Sequence, residues 1–213
     1  PEDIWTGGGI YPWMTGATAL EVVSDNAADA AAGTGARTIL LQGLDTSYVE
    51  VDQVITLNGT TAVAIPTSLF RINKCYVITA GSGQVNTGII TIRNSGAGTT
   101  RAIVPAGMGQ LEQTIFTVPA GKELLLFDFF HTINRPSSVR DVDLAAYVGN
   151  PVAGTYLLAR AVTISSNPFF TPFSSIARLG EKTDFNMRCT YASQNGTLVT
   201  SGYFGVLKTT ALL

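Results

Sequence analysis

The chain has 213 residues and a net charge of −2, and only 13% of its residues are charged, against about 25% in an average soluble domain. This balance leaves no basic footprint for nucleic acid and no electrostatic basis for membrane binding. No apolar run approaches the roughly 18 residues that span a bilayer as a helix.

At this length the chain forms one large β domain or two small ones, each able to bury a core. Low charge combined with 22 glycines and many Ser and Thr residues suits tightly packed surfaces in a stable assembly, since a free monomer usually carries more charge for solubility. The N-terminus shows no basic-then-apolar secretory layout. A start at Pro1 rather than Met points to initiator removal, processing or truncation. Cys75 and Cys189 lie in different halves, each within a strand pattern, and read as buried free thiols; nothing demands an oxidising compartment.

Residues 1–16, PEDIWTGGGIYPWMTG, read as an extended N-terminal arm. Three glycines loosen it and Pro12 prevents a helix from running through it. Ile4, Trp5, Ile10, Tyr11, Trp13 and Met14 are too apolar for a disordered tail, so the arm must pack on its own core or on a neighbouring subunit.

Residues 17–105 form a first β-rich block with strands expected near 18–24, 36–44, 47–58, 61–65, 69–79, 88–93 and 100–104. The separators are rich in Gly, Asn, Asp, Ser and Thr. In the clearest alternation, Val49, Val51, Ile55 and Leu57 share one face while Glu50, Asp52 and Thr56 share the other, the period of a half-buried antiparallel strand. Asn58-Gly59 follows it as a hairpin signal, because both residues tolerate positive φ. The Ala-rich stretch 27–32 suits at most a helical turn, being flanked by Gly33 and Gly35.

Residues 106–213 form a second β-sandwich block, continuous with the first or separate from it. Strands are expected near 111–118, 122–132, 139–148, 155–165, 184–193 and 198–208. Val118-Pro119-Ala120-Gly121 fits a turn with Pro at its second position. Leu124–Phe130 is apolar on both faces and reads as a strand buried between layers. Phe185, Met187, Cys189 and Tyr191 alternate with Asp184, Asn186, Arg188 and Thr190, before an Asn195-Gly196 turn. In Pro168-Phe169-Phe170-Thr171-Pro172-Phe173, two prolines stiffen an extended aromatic loop. It either folds over its own sandwich or plugs into a neighbouring subunit. About a dozen short strands and no amphipathic helix give an all-β, antiparallel sandwich, jelly-roll-like in outline.

Candidate chemistry is sparse. His131 is the single histidine, no GxSxG elbow exists, and one His with two distant Cys cannot build a zinc site. Asp25, Asn26 and Asp29 lack the ligand ladder of a calcium loop and read as Asx turns. The runs 7–9, 33–35 and 81–83 lack the Lys and Ser/Thr of a phosphate loop. Glu50/Asp52 and Asp141/Asp143 are same-face strand pairs, solvated or met by a positive partner, with Arg140 and Arg160 the candidates for the second pair. No catalytic, cofactor or metal residue is assigned.

Three segments carry a resemblance: PEDIWTGGGIYPW, AAGTGARTILLQGLDTSYVEVDQVITLNGTTAV, and TVPAGKELLL…IARLGEKTDFNMRC. Together they resemble virion structural proteins of tailed bacteriophages, particularly marine podovirus-like and siphovirus-like ones. The resemblance implies a non-enzymatic, oligomeric β-sandwich protein, with a homotrimer favoured. It would be assembled in the host bacterial cytoplasm and sit on the capsid surface as a decoration, cement or head-fibre protein that bridges subunits of the major capsid protein. The expected subunit contacts are Ile4, Trp5, Tyr11, Trp13 and Met14, with Phe169, Phe170 and Phe173 as a second group. Deleting residues 1–16 would then leave a folded domain unable to bind capsids. The alternative is a tail- or fibre-associated module that binds host-surface glycans through exposed aromatics such as Tyr147 or Tyr203.

Overall fold

A computed structural model describes residues 1–134, 141–150, 153–165, 169–193 and 197–210, with the backbone alone at 134 and 169–175. The protein is all-β, built from antiparallel sheets, with no helix among the described residues. The chain divides into two compact units: Tyr11–Glu112, and Pro1–Ile10 together with Gln113–Leu213. Residues 1–16 therefore contribute to both units.

The unit Tyr11–Glu112 is a sandwich of two sheets. In one, β2 (Leu20–Ser24) lies between β5 (Val63–Ala64) and β7 (Ile90–Asn94), and β8 (Thr100–Val104) flanks β7. In the other, β3 (Ala36–Leu44) lies between β4 (Glu50–Thr56) and β6 (Arg71–Ala80). Alternation decides what is buried: Leu20, Val22, Ile90, Ile92, Ala102 and Val104 meet Ile39, Leu41, Ile55, Ile72 and Cys75 in one core. Along β4, Gln53, Ile55 and the following Leu57 point in, while Asp52, Val54 and Thr56 point out. Gln53 tolerates the inward position because its amide bonds both the N–H and the C=O of Thr67. Val49, expected on the buried face, is exposed, because the chain is still turning there: Tyr48 has φ 64° and Asp45 Oδ1 accepts from the N–H groups of Ser47 and Val49.

Asn58-Gly59 does not make a hairpin. Gly59 takes the expected positive φ (58°), but the next strand, β5, leaves β4 and joins β2 in the opposite sheet. The hairpin partner of β4 is β3, through the Asp45–Tyr48 turn.

The other unit is also a sandwich. One sheet runs β1 (Glu2–Asp3), β14 (Asp184–Ala192), β11 (Val142–Asn150), β12 (Thr155–Ile164), with β9 (Phe116–Thr117) also on β14. The second has β10 (Lys122–Asn134) between β13 (Phe169–Leu179) and β15 (Leu198–Thr209). Leu124, Leu126, Phe129, Ala177, Tyr203 and Leu207 of the three-stranded sheet pack on Phe116, Ala146, Phe185 and Met187 of the other.

Three expectations change here. The strand expected at 111–118 is regular only at Phe116–Thr117. The segment Phe169–Phe173 is not a loop: its backbone forms the start of β13, in register with β10. Pro172 is admitted because β13 is an edge strand, where a missing N–H costs no ladder bond. Strand β10 is not buried between layers: its inner face is covered, but Phe127 on the other face is exposed. Pro168, Arg140 and the Asn195-Gly196 turn lie outside the described residues.

Candidate functional site

The expected contact residues fall into three places. Ile4 is half-buried against both clusters of the Gln113–Leu213 sandwich. Trp5 is half-buried, bridges to Gln113, and lies over Gly7 so closely that a Cβ there would sit 2.2 Å from its ring. Tyr11 and Met14 are 3% and 2% exposed in the core of the other unit. Trp13, half-buried, packs edge-on to Tyr11 with ring centres 5.0 Å apart and takes the buried Arg71 guanidinium over its ring at 5.0 Å. Only Ile10 of this segment's large apolar side chains is exposed. The third place is β13, where the backbone of Phe169 and Phe170 pairs with His131 and Phe130 and Phe173 follows; their side chains lie outside the described set. The N-terminal contact residues are thus divided between the two units.

Each unit holds a buried polar node. The first is Asp3, whose side chain is fully buried and accepts from Arg188 Nε and Asn186 Nδ2, both at 2.6 Å. Arg188, held in its charged form chiefly by this hydrogen bond, also lies over the Tyr147 ring, which stacks on Tyr156 at 5.4 Å. Tyr147 is therefore part of a packed stack in mid-strand, and Tyr203 is packed against Phe185 in the core. Neither is the exposed loop-tip ring that sugar stacking needs.

The second node is Asp29, fully buried. Its Oδ1 accepts from the N–H groups of Ala36 and Thr87, and its Oδ2 from Ser24 Oγ and the N–H of Gly88, all at 2.7–2.8 Å. Gly35 is required beside it, because a Cβ there would meet Oδ1 at 2.1 Å. Asn26 Oδ1 closes an Asx turn onto the N–H of Ala28, and Asp25 Oδ1 accepts from the N–H of Ile89. Both oxygens of Asp29 and one each of Asp25 and Asn26 are thus taken by donors, the Asx-turn arrangement. Asn86, buried nearby in sequence to Thr87, ties Gly88, Pro105 and Gly109 together.

His131 is 1% exposed and points into the sandwich, with Nδ1 2.8 Å from Ser201 Oγ, beside a water-sized cavity that Arg160 also lines. Arg160 thus faces inward rather than meeting Asp143, whose Oδ1 accepts from Thr163 Oγ1. Burial pulls the His131 pKa down to about 4, an effect Asp128 opposes and Arg160 reinforces. The unfolded imidazole titrates near 6.5. Protonation therefore favours the unfolded chain: the contribution is complete above pH 6.5 and is lost as pH falls toward 4. Between pH 7 and pH 4 the wild type should lose about 3 kcal/mol more unfolding free energy than the variant His131→Gln. Parallel urea titrations of the two proteins at both pH values check this, and equal losses would refute it. Both cysteines are free; burial pushes the Cys75 thiol up to about 12, and Cys189 is half-buried rather than buried, its pKa also raised, mainly by burial.

The exposed outer face of the β4–β3–β6 sheet is built in rows. Register places Val54, Leu40 and Tyr76 side by side across the three strands, with Ile78 bulging next to them. Val54, Tyr76 and Ile78 are exposed. On one side lies a row of Thr56, Thr38 and Thr79, with Thr38 and Thr79 hydroxyls 2.6 Å apart. On the other lies Asp52, Gln42 and Lys74, where Gln42 Nε2 donates to Asp52. The apolar row was within reach of the sequence through the outward parity of Val54, but only the register brings Leu40 and Tyr76 beside it. No protein-family model matches this chain, and no curated protein and no solved structure is significantly similar to it.

Proposed function

We propose that the protein is a non-enzymatic structural component of a phage particle, a decoration or cement protein that bridges coat-protein subunits as part of a homo-oligomer. The observation that carries this reading is the Val54–Leu40–Tyr76 row. An apolar centre bordered by polar rows in which neighbouring side chains bond one another is the anatomy of a protein-binding face. It costs little to desolvate, because Gln42 and Asp52, and Thr38 and Thr79, bond one another. The buried acids support the same reading, since Asp3 and Asp29 spend their oxygens on internal donors. The three-segment sequence resemblance gives the partner its class.

The test is co-sedimentation of the full chain with capsids that lack it. Wild-type protein should saturate the particles, and the double variant Val54→Asp/Tyr76→Asp should bind at least roughly 30-fold more weakly, the loss expected of a hot-spot pair. Both positions are exposed, so folding should survive the change. Unchanged occupancy by the double variant would sink this surface as the contact.

A further inference from the structure

We infer that the outer face of the β13–β10–β15 sheet is a self-association surface, occupied by the same face of a second copy of this chain. The sequence makes this face unusual. Strand β10 is apolar on both sides, and only one side is used by the sandwich core. Inner positions Leu124, Leu126 and Phe129 pack on the facing sheet. The other side carries Leu125, Phe127 and Phe130 with one acid, Asp128, in register with Phe204, and its neighbours add Ile176 from β13 and Phe204 and Val206 from β15. Phe130 and Phe204 are in ring contact at 5.5 Å. Gly202 makes room for that packing, since a Cβ there would lie 2.3 Å from the Phe130 ring.

The exposed apolar area approaches what a self-contact needs. Phe127, Ile176, Phe204 and Val206 are 38%, 49%, 56% and 50% exposed. With about 200 Å² for a phenylalanine and about 100 Å² for an aliphatic side chain, these four present roughly 300 Å² of apolar surface. Two copies face to face would bury roughly 600 Å² from these side chains. At the roughly 65% apolar share of a homodimer interface, the whole contact from these four comes to about 900 Å², just under the ~1,000 Å² that a specific interface should clear. Half-buried Leu125 and Phe130 add to it.

Shape and charge select a second copy over a different partner. Two sheets of the same twist stack aligned at about −30°, so a face of this kind is complementary to itself. The charges at one end, Glu123 with Lys208 at 3.2 Å and Arg178 at 3.5 Å, are paired within the sheet. Asp128, in register with Phe204, is half-buried with its Oδ1 shielded from solvent, so the face as a whole leaves little field to steer an oppositely charged protein.

This inference rests on the proposed function only for the use of the assembly. The experiment is sedimentation equilibrium of the full chain from about 1 to about 100 µM. Wild type should sediment near twice its 22.4 kDa chain mass. Phe204→Glu and Phe127→Ser should each raise the dissociation constant by roughly 30-fold or more, with unchanged circular dichroism. Val54→Asp/Tyr76→Asp should remain associated while losing capsid binding. A monomeric wild type overturns the inference together with the homo-oligomer of the proposed function, and association that survives both substitutions overturns the inference alone; capsid decoration stands in either case. A monomeric wild type whose Phe204→Glu variant fails to bind capsids would assign the face to the coat instead, and also overturns it. Intact association without capsid binding would remove the decoration reading alone.

Discussion

Deleting residues 1–16 is expected to unfold the protein, not to leave a folded domain stripped of its contacts. The segment supplies core to both units. Tyr11 and Met14 are buried in the sandwich of residues 11–112, and truncating each costs about 2–5 kcal/mol. The Met14 carbonyl is an acceptor for the buried Arg71 guanidinium, and the Pro12 carbonyl for Arg101. In the other unit, losing Asp3 removes the buried partner of Arg188 and Asn186, and breaking a buried pair on one side costs about 3–5 kcal/mol. Losing β1 also uncovers an edge of β14. The loss in the unit Tyr11–Glu112, about 4–10 kcal/mol from the two side chains alone, is comparable to the 5–15 kcal/mol that holds a typical domain folded, and the other unit loses its own buried pair and edge strand. Urea unfolding followed by circular dichroism should show no cooperative transition for the truncated chain. The substitution Ile10→Ser, at an exposed position of the same segment, should stay within about 0.5 kcal/mol of wild type. A truncated chain with a wild-type midpoint would show that the arm is dispensable after all.

The arm was visible in the sequence, but its destination was not. Its apolar content says that it must pack somewhere; whether on its own core or on another chain depends on contacts far away in sequence, such as Asp3 with Arg188 or Met14 with Arg71. The same limit explains the other differences. Period-two alternation located β3, β4, β6, β11 and β14 well, because each has one covered face and the parity of Ile39, Ile55, Phe185 or Met187 declares it. Asn58-Gly59 declared its positive φ but not the sheet its successor joins, which the pairing of Val22 with Val63 decides. Pro172 concealed β13, because a proline is compatible with a strand only at an edge, and edge status is a property of the sheet. Strand β10 misled in the opposite way. Being apolar on both sides, it looked doubly covered, when the described chain covers one side and exposes Phe127 on the other.

Asp29→Asn should be among the most damaging single substitutions in the residue 11–112 unit. Asp29 was legible only as one acid in a loop with D-N-x-x-D spacing; nothing local announces that its carboxylate joins the end of β2, the start of β3 and the turn before β7. Four donors converge on it, three of them backbone N–H groups and the fourth the Ser24 hydroxyl. A carboxylate has acceptor sites for all four, whereas an amide offers one oxygen and turns an NH₂ group toward the remaining donors. The least costly placement sets the NH₂ beside Ser24, whose hydroxyl can turn and accept from it, but presses it against the buried N–H of Gly88, which is orphaned at about 1–3 kcal/mol. The N–H bonds that remain lose their charge assistance, so the expected loss is about 2–4 kcal/mol, read as a lower urea midpoint with the same m-value. Asp25→Asn is the matched comparison. Asp25 is exposed and its oxygen meets the N–H of Ile89, so an asparagine there keeps an acceptor in place and should cost under about 1 kcal/mol. If Asp29→Asn costs no more than Asp25→Asn, the node does not hold the strand ends together. The outer row Val54–Leu40–Tyr76 would then need another source of the rigidity on which a preformed binding face depends.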